Sequence, residues 1–217
     1  MRELSDYRAL AFDCDGVLLN SNRIKTDAFY SAASIYGHDA AQALVDYHVK
    51  HGGVSRYRKF AYLFSDILYR GDSGGEQEAL LARYAVLVRD GLLSCEVAPG
   101  LSDLRQALQN SRWLIVSGGD QEELREVFAV RGLADHFDGG IFGSPDAKDQ
   151  ILLRELTNGN IPIPALFLGD SRFDYQCATQ AGMDFVFLSN WSEFHEWPVF
   201  FAERPVQVKG CLADLLY

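Results

Sequence analysis

The sequence lacks the features that mark secreted, membrane-spanning and nucleic-acid-binding proteins. Its four cysteines are widely spaced and include no CxxC pair, which favours reduced thiols over a disulfide framework. No apolar run approaches the length of a membrane span, and the first residues contain no apolar signal core. The 20 Lys and Arg residues are outnumbered by 30 Asp and Glu residues, so a phosphate backbone or an anionic membrane is disfavoured as a partner. We therefore expect a cytoplasmic protein that binds neither nucleic acid nor membranes.

The sequence does contain a series of short apolar runs that alternate with helical patterns. Its 217 residues, 48% of them hydrophobic, allow one large α/β domain or a compact core with a smaller inserted unit. The apolar runs predict buried strands at residues 7–12, 113–116, 140–142, 165–168, 185–188 and, more weakly, 206–208. Helices are predicted at residues 101–110, 121–130, 149–156 and 175–181. This alternation predicts an α/β fold with a doubly wound parallel sheet.

A long segment after the first strand departs from the alternation. It contains no convincing strand and reads as four helices, at residues 23–36, 40–49, 56–69 and 76–90. A connection of this length is too long for an ordinary loop. We therefore predict an α/β core domain made of residues 1–19 and 96–217, with residues 20–95 forming an all-helical insertion over one edge of the sheet.

Polar side chains follow several of the predicted strands. Asp13, Ser117, the segment containing Lys148, and Asp170 each come after a different strand. In an open α/β sheet, ligands bind at the carboxyl ends of the strands, near the point where the strand order reverses. The sequence therefore predicts that these residues lie on one rim, under the inserted helices.

Four carboxylates are predicted to converge at this rim. Asp13 and Asp15 alternate in an extended turn, so both point the same way, and Asp170 and Asp174 share one face at the start of a helix. Such a cluster is strongly repulsive unless a cation lies within it. Hard oxygen ligands that leave room for water and phosphate suit Mg²⁺.

These residues also carry a family resemblance. The segment FDCDGVLL at residues 12–19, Ser117 after LIV, Lys148 in GSPDAK, and GDSRFD at residues 169–174 resemble, in order, the four motifs of the haloacid dehalogenase superfamily. The insertion resembles that superfamily's small helical cap, in the branch of β-phosphoglucomutase and phosphoglycolate phosphatase. The resemblance implies a phosphatase with a Rossmann-like core and a bound Mg²⁺.

The resemblance also implies roles for individual residues. Asp13 would attack phosphorus and form an aspartyl-phosphate, and Asp15 would act as general acid and then general base. Lys148 and the Ser117 hydroxyl would bind the phosphoryl oxygens. Backbone N–H groups near Cys14 and Gly118 would contribute to the same binding site. The metal ligands would be Asp13, Asp170 and Asp174, together with Asp15 through its backbone carbonyl.

Within the insertion, the segment GVSR at residues 53–56 resembles a cap loop whose arginine meets substrate. This places Ser55 and Arg56 in a substrate-binding role, with Lys59 on the next helical turn near a second anionic group. An ordinary helix N-cap followed by a solvated side chain is the alternative. Many cap-bearing relatives have His where this chain has Lys25, which weakens a mutase assignment. His48 shows no metal-ligand spacing with the other histidines, so a surface or hydrogen-bonded role is expected.

The function favoured at this point is Mg²⁺-dependent hydrolysis of a small phosphorylated metabolite, such as the phosphate monoester of a sugar or sugar acid. A mutase similar to β-phosphoglucomutase is the alternative enzyme. A dehalogenase is less favoured, because halide departure needs no acid such as Asp15. A receiver-like phosphoacceptor module shares clustered aspartates and a lysine, but such modules are shorter and lack a helical insertion. A monomer and a homodimer both remain open.

Overall fold

The computed structural model describes residues 2–72 and 74–216, and its centre is a six-stranded parallel sheet. The strands are β1 Ala9–Phe12, β2 Arg112–Asp120, β3 Gly140–Ser144, β4 Ala165–Gly169, β5 Asp184–Leu188 and β6 Gln207–Lys209. Their order across the sheet is β3-β2-β1-β4-β5-β6. The central strands β1 and β4 are buried along their whole length, as expected for a parallel sheet covered on both faces. The prediction of a doubly wound α/β sheet is confirmed.

The strand order places two predicted site residues side by side. The chain winds outward from β1 to β3 and then crosses back to β4, so the order reverses between β1 and β4. Phe12 pairs with Leu168 across these two strands. Asp13 and Asp170 follow the same ends of these neighbouring strands and therefore lie at the crevice where such sheets bind ligands.

Four helices occupy the described part of residues 20–95, the predicted insertion. They are α1 Asn22–Ala33, α2 His38–Lys50, α3 Arg56–Tyr62 and α4 Glu76–Ser94, and no strand is assigned to the described part of this segment. Helix α3 continues as a π-helical turn, Leu63–Ile67. The predicted helix ends before residue 69 because Tyr69 has a φ of 51°, which a right-handed helix cannot accommodate.

The inserted helices pack on one another and on the sheet. Phe29 lies 4.5 Å from Tyr84 between ring centroids, and both belong to the same hydrophobic cluster as Phe12. Helix α4 approaches α1 closely at Gly91, where a β-carbon would overlap the Ile24 side chain. Helices α1–α4 fall inside the predicted limits of residues 20–95, and the division into two domains stays a prediction. Residues 1, 73 and 217, which belong to the predicted domains, lie outside the described residues.

The remaining helices flank the sheet. They are α5 Leu101–Ala107, α6 Gln121–Val130, α7 Lys148–Thr157, α8 Arg172–Gln180 and α9 Trp197–Phe201. Helix α8 begins three residues earlier than predicted because Ser171 caps it, accepting a hydrogen bond from the backbone N–H of Asp174 at 3.2 Å. Across the described residues, every helix is too short or too polar to cross a lipid bilayer.

Candidate active site

Asp13 and Lys148 form the centre of the rim. Asp13 follows β1, is 3% exposed, and accepts a hydrogen bond from the backbone N–H of Cys14 at 2.7 Å. Lys148, the first residue of α7, lies with its Nζ 3.0 Å from Asp13 Oδ2. Burial raises the pKa of Asp13 to about 7, and the charges of Asp174 and Asp15 add to that effect while Lys148 opposes it. Asp13 and Lys148, which were predicted to lie on one rim, are therefore within ion-pair distance of each other.

Asp174 has both a structural and an electrostatic role. Its Oδ2 accepts hydrogen bonds from the Ser171 hydroxyl at 2.7 Å and from the backbone N–H groups of Asp170 and Ser171, which fixes the first turn of α8. Its Oδ1 pairs with Lys148 Nζ. The carboxylate is fully buried. Asp174 is thus a first-turn helix acid and also a member of the charged cluster.

The arrangement of carboxylates fits a divalent cation. Asp13, Asp170 and Asp174 each place an oxygen within 4.8 Å of the others. Among the described residues, Lys148 is the one cation paired with this cluster, so three carboxyl groups face a single ammonium group. Burial, followed by repulsion from Asp174 and Asp13, also raises the pKa of Asp170 well above its ordinary value. Excess negative charge on hard oxygen donors is the chemistry that Mg²⁺ requires.

The side chain of Asp15 is separate from this cluster. Its Oδ2 lies 2.6 Å from Lys25 Nζ on α1, and its Oδ1 accepts a hydrogen bond from the Ser21 hydroxyl at 2.6 Å. Burial by itself would raise the pKa of Asp15, but the charge of Lys25 and these hydrogen bonds outweigh it and lower the pKa. A metal contact through the Asp15 backbone carbonyl, as expected from the sequence, stays a prediction.

Ser117, which was predicted to follow its strand, and Gly118 lie inside the neighbouring strand β2, because that strand continues to Asp120. Ser117 is fully buried, and its hydroxyl oxygen accepts a hydrogen bond from the backbone N–H of Gly119 at 3.0 Å, which leaves the hydroxyl hydrogen available to donate. Gly118 faces the insertion so closely that a β-carbon there would overlap the carbonyl oxygen of Gly53. Burial raises the pKa of the Cys14 thiol well above its ordinary value, so Cys14 remains a neutral thiol beside the rim.

On the inserted side, Ser55 and Arg56 lie at the start of α3. Ser55 is its N-cap, as the alternative interpretation of the sequence proposed, and accepts from the backbone N–H of Arg58 at 3.5 Å. Arg56 donates through both terminal nitrogens to the carboxylate of Glu123 on α6, and its guanidinium lies 4.9 Å from the centre of the Tyr84 ring. Arg56 therefore bridges the insertion to the core, and its contact with substrate stays a prediction.

Three residues that the sequence did not single out as site residues also lie here. Asn22 donates to Asp170 Oδ2 at 2.7 Å, which orients that carboxylate. Lys25 pairs with Asp15, and His48 is buried against Lys59 with 2.6 Å between Lys59 Nζ and His48 Nδ1. A signal for His48 was available, because it continues the buried face of α2.

A cavity connects the rim to the inserted helices. Its walls include Asp13, Asp15 and Asp170 on the rim and Lys25 and Lys59 on the insertion. Its volume is about 140 Å³, which is well below the roughly 300 Å³ at which pockets for drug-sized ligands begin. The space suits a compact ligand better than a nucleotide. Acidic and basic side chains from the rim and from the insertion thus line one small chamber.

Comparison with known proteins agrees with this geometry. The model of a family described as haloacid dehalogenase-like hydrolases matches residues 7–182, which include every predicted residue of the rim and of the insertion. A search of curated proteins found no match.

Three solved structures share the fold over nearly the whole chain. A predicted phosphoglycolate phosphatase from Haemophilus somnus 129PT is 18% identical over 97% of this chain and 96% of its own, with a TM-score of 0.73. A provisionally named β-phosphoglucomutase from Bacteroides vulgatus is 16% identical over 96% and 86%, with a TM-score of 0.74. CbbY from Rhodobacter sphaeroides, solved in complex with phosphate, is 16% identical over 96% of both chains, with a TM-score of 0.70. At these identities the likeness extends to the fold alone.

Proposed function

This chain belongs to the haloacid dehalogenase-like hydrolase family, and we propose that it is a Mg²⁺-dependent phosphatase acting on a small phosphorylated metabolite. The observation that carries the proposal is the position of Lys148, which is held between Asp13 and Asp174 inside a buried carboxylate cluster. A buried ammonium beside a strand-end carboxylate is well placed to bind phosphoryl oxygens while the carboxylate attacks phosphorus. The helices of residues 20–95 would act as a cap that closes the chamber.

The first half of the reaction transfers the phosphoryl group to Asp13. One carboxylate oxygen of Asp13 forms a bond to phosphorus as the ester P–O bond breaks, and the departing alkoxide takes a proton from Asp15. Lys148 and the Ser117 hydroxyl bind the non-bridging oxygens, together with backbone N–H groups near Cys14 and Gly118. When bound by Asp13, Asp170 and Asp174, Mg²⁺ would neutralise the charge on the phosphoryl group.

The second half releases inorganic phosphate. Asp15, now ionised, accepts a proton from a water molecule whose oxygen attacks phosphorus, and the bond to Asp13 breaks. Lys25 holds Asp15 in its ionised form in this structure, which is the form that this second step needs. The first step needs the protonated carboxyl group, so we expect the contact between Lys25 and Asp15 to open when substrate enters.

The test is phosphate release from an aryl phosphate by the purified protein. We expect turnover with Mg²⁺ and none after treatment with a chelator, with recovery when Mg²⁺ is restored. The Asp13→Asn variant, purified in parallel, controls for contaminating phosphatases. Full turnover by the metal-free protein would contradict the proposal. Supplying a sugar 1-phosphate and analysing the products separates hydrolysis from the mutase alternative, because a mutase returns the 6-phosphate isomer.

A further inference from the structure

One buried cation in the wall of the chamber has no carboxylate partner among the residues that the structure describes. Lys59 on α3 is 2% exposed and lines the cavity. Within residues 2–72 and 74–216, no carboxylate lies within ion-pair distance of its Nζ, whose polar contact is His48 Nδ1 at 2.6 Å. Lys25, Arg56 and Lys148, which line or adjoin the same chamber, are each paired with an acid. Lys59 is therefore the exception among the buried cations of this site.

The hydrogen bonds on the far side of the His48 ring determine that its Nδ1 accepts from Lys59. The Thr26 hydroxyl donates its hydrogen to Glu193 Oε2 at 2.8 Å, since a carboxylate can only accept. Thr26 must then accept from His48 Nε2, which lies 3.1 Å away. That leaves Nδ1 of the neutral His48 ring as an acceptor for Lys59. Burial, reinforced by the charges of Lys59 and Lys25, lowers the pKa of His48 well below its ordinary value, which keeps the ring neutral.

This arrangement leaves Lys59 prepared to bind a ligand. When protonated, the ammonium group has three N–H donors and commits one of them to His48. The charges of Asp15 and Glu193, which lie beyond ion-pair distance, offset only part of the cost of burying this charge. Burial and the charge of Lys25 accordingly lower the pKa of Lys59 to about 7. A negatively charged oxygen that enters the chamber would supply the missing partner and favour the protonated form.

We propose that Lys59, oriented by His48, binds an anionic oxygen group, either a carboxylate or a second phosphate, on the part of the substrate that leaves with the alcohol. The proposal deepens the phosphatase function and rests on it. It assigns this role to Lys59 instead of Arg56, because the guanidinium of Arg56 is already neutralised by Glu123. His48 is a positioning residue, since it acts on the ligand through the Lys59 ammonium group.

The test compares matched phosphate esters with the full-length enzyme and Mg²⁺. One series carries a carboxylate two to four carbons from the phosphate, a second carries a second phosphate, and a third carries a neutral hydroxyl group. We expect the wild type to prefer one anionic series. Lys59→Met should lower kcat/KM for that series by about 10- to 100-fold, and for the neutral series by less than about threefold. The series affected identifies the anionic group as carboxylate or phosphate.

Two further sets of variants separate binding from structure. Arg58→Met removes an exposed cation from the same helix and should leave the preference unchanged. His48→Leu removes the acceptor and should raise KM for the anionic series, whereas His48→Asn, whose amide oxygen can replace Nδ1, should restore part of the loss. Lys59→Met removes a desolvated charge, so thermal unfolding should find it at least as stable as the wild type.

The outcomes distinguish this inference from the phosphatase function. Lack of hydrolysis of every ester by the wild type would overturn the phosphatase proposal. Equal losses on anionic and neutral esters in Lys59→Met, or an unchanged preference, would overturn the role of Lys59 while leaving the phosphatase proposal intact. Calorimetry can decide the role of Lys59 even if turnover is absent. It would compare the binding of anionic and neutral esters to the Asp13→Asn variant and to the double variant that also carries Lys59→Met.

Discussion

The two walls of the chamber differ in how their charges are balanced. On the rim of the sheet, Lys148 contacts both Asp13 and Asp174, and each of these groups is fixed by a strand end or a helix start. On the helical wall, Arg56 pairs with an acid of the core, whereas the Lys59 ammonium lies beside the neutral imidazole of His48 and the Phe29 ring. The buried cation of the rim is thus paired within the protein, whereas Lys59 on the helical wall has no acid within ion-pair distance among the described residues. This difference separates the groups to which we assign the chemistry from the group that we expect to select the substrate.

The largest expected effect comes from the two aspartates that follow β1. Asp13→Asn removes the nucleophile, so turnover should fall by several orders of magnitude and no phosphoenzyme should form. Asp15→Asn retains the nucleophile and loses the acid and base. With an aryl phosphate, whose phenolate leaves without help, rapid mixing of this variant should show a burst or trap label on Asp13.

Two results would contradict those roles. Phosphoenzyme formed on Asp15 in the Asp13→Asn variant would mean that the roles are reversed. Full activity in both variants would place the reaction elsewhere in the protein. Asp135→Asn, a change at an exposed acid, is the matched control and should behave as wild type.

The next largest effect concerns the cation of the rim. Lys148→Met leaves Asp13 and Asp174 buried without their shared partner, and it removes a donor to the phosphoryl oxygens. We expect kcat to fall by about 10²- to 10³-fold. Unfolding by denaturant in the presence of a chelator should show that the free energy of unfolding falls by about 3–5 kcal/mol, because two buried carboxyl groups lose their shared cationic partner.

Lys209→Met provides the comparison for that variant. Lys209 lies on β6 at the edge of the sheet, away from the carboxylate cluster, and its replacement should change neither quantity. If Lys148→Met were as stable as the wild type, the Lys148 ammonium would not neutralise the charge of the carboxylate cluster. The proposed contrast between the two walls of the chamber would then be wrong.

Sequence reasoning predicted the rim better than the helical wall, for a physical reason. Asp13 and Asp170 were predicted together because the carboxyl ends of adjacent parallel strands meet at one edge, whatever the details of packing. The pairing of Arg56 with Glu123 joins residues 67 positions apart on different helices. Such a pairing depends on the angle at which the insertion docks, and helical periodicity does not determine that angle.

The buried residues of the insertion illustrate the same limit. His48 lies on the buried face of α2 with Ala41 and Leu44, and this spacing predicts that its side chain is buried. Its contact with Lys59 depends on how α2 and α3 cross. The sequence placed Lys59 one turn after Arg56, but it gave no sign that one cation would be paired and the other left without an acid.

A smaller effect separates the two cations of the helical wall. If Arg56 holds the insertion against the core, Arg56→Met should lower kcat/KM by about tenfold for anionic and neutral esters alike. The reason is that the insertion would no longer hold the substrate in the reactive position. Glu123→Gln should have a similar effect, and the double variant should be little worse than either single one, because the pair acts as a unit. Arg89 and Glu126 form an exposed pair that also joins α4 to α6. Removing that pair should change kcat/KM by less than about twofold.

A loss confined to the anionic esters in Arg56→Met would contradict this account of the pair. It would restore the interpretation based on sequence, in which Arg56 itself meets the substrate. Whether Arg56 or Lys59 binds the anionic group therefore depends on which variant loses kcat/KM selectively for anionic esters. The size of the loss does not decide it.

A different measurement is the pH dependence of stability caused by Lys59 itself. Its folded-state pKa is lowered to about 7 from 10.5, first by burial and then by the charge of Lys25. Between those values the unfolded chain binds a proton that the folded protein does not, so the free energy of unfolding rises with pH relative to Lys59→Met. From pH 7 to pH 9, the free energy of unfolding of the wild type should rise by about 2 kcal/mol relative to that of Lys59→Met. Below about pH 7 both states are protonated, and the difference in the free energy of unfolding between the two proteins should become constant.

Denaturant unfolding with a chelator present measures this difference directly. His48, Glu193 and the other neighbouring groups are common to both proteins. A difference that stays flat from pH 6 to 9 would show that Lys59 keeps its proton without a ligand, and the helical wall would then be as well balanced as the rim.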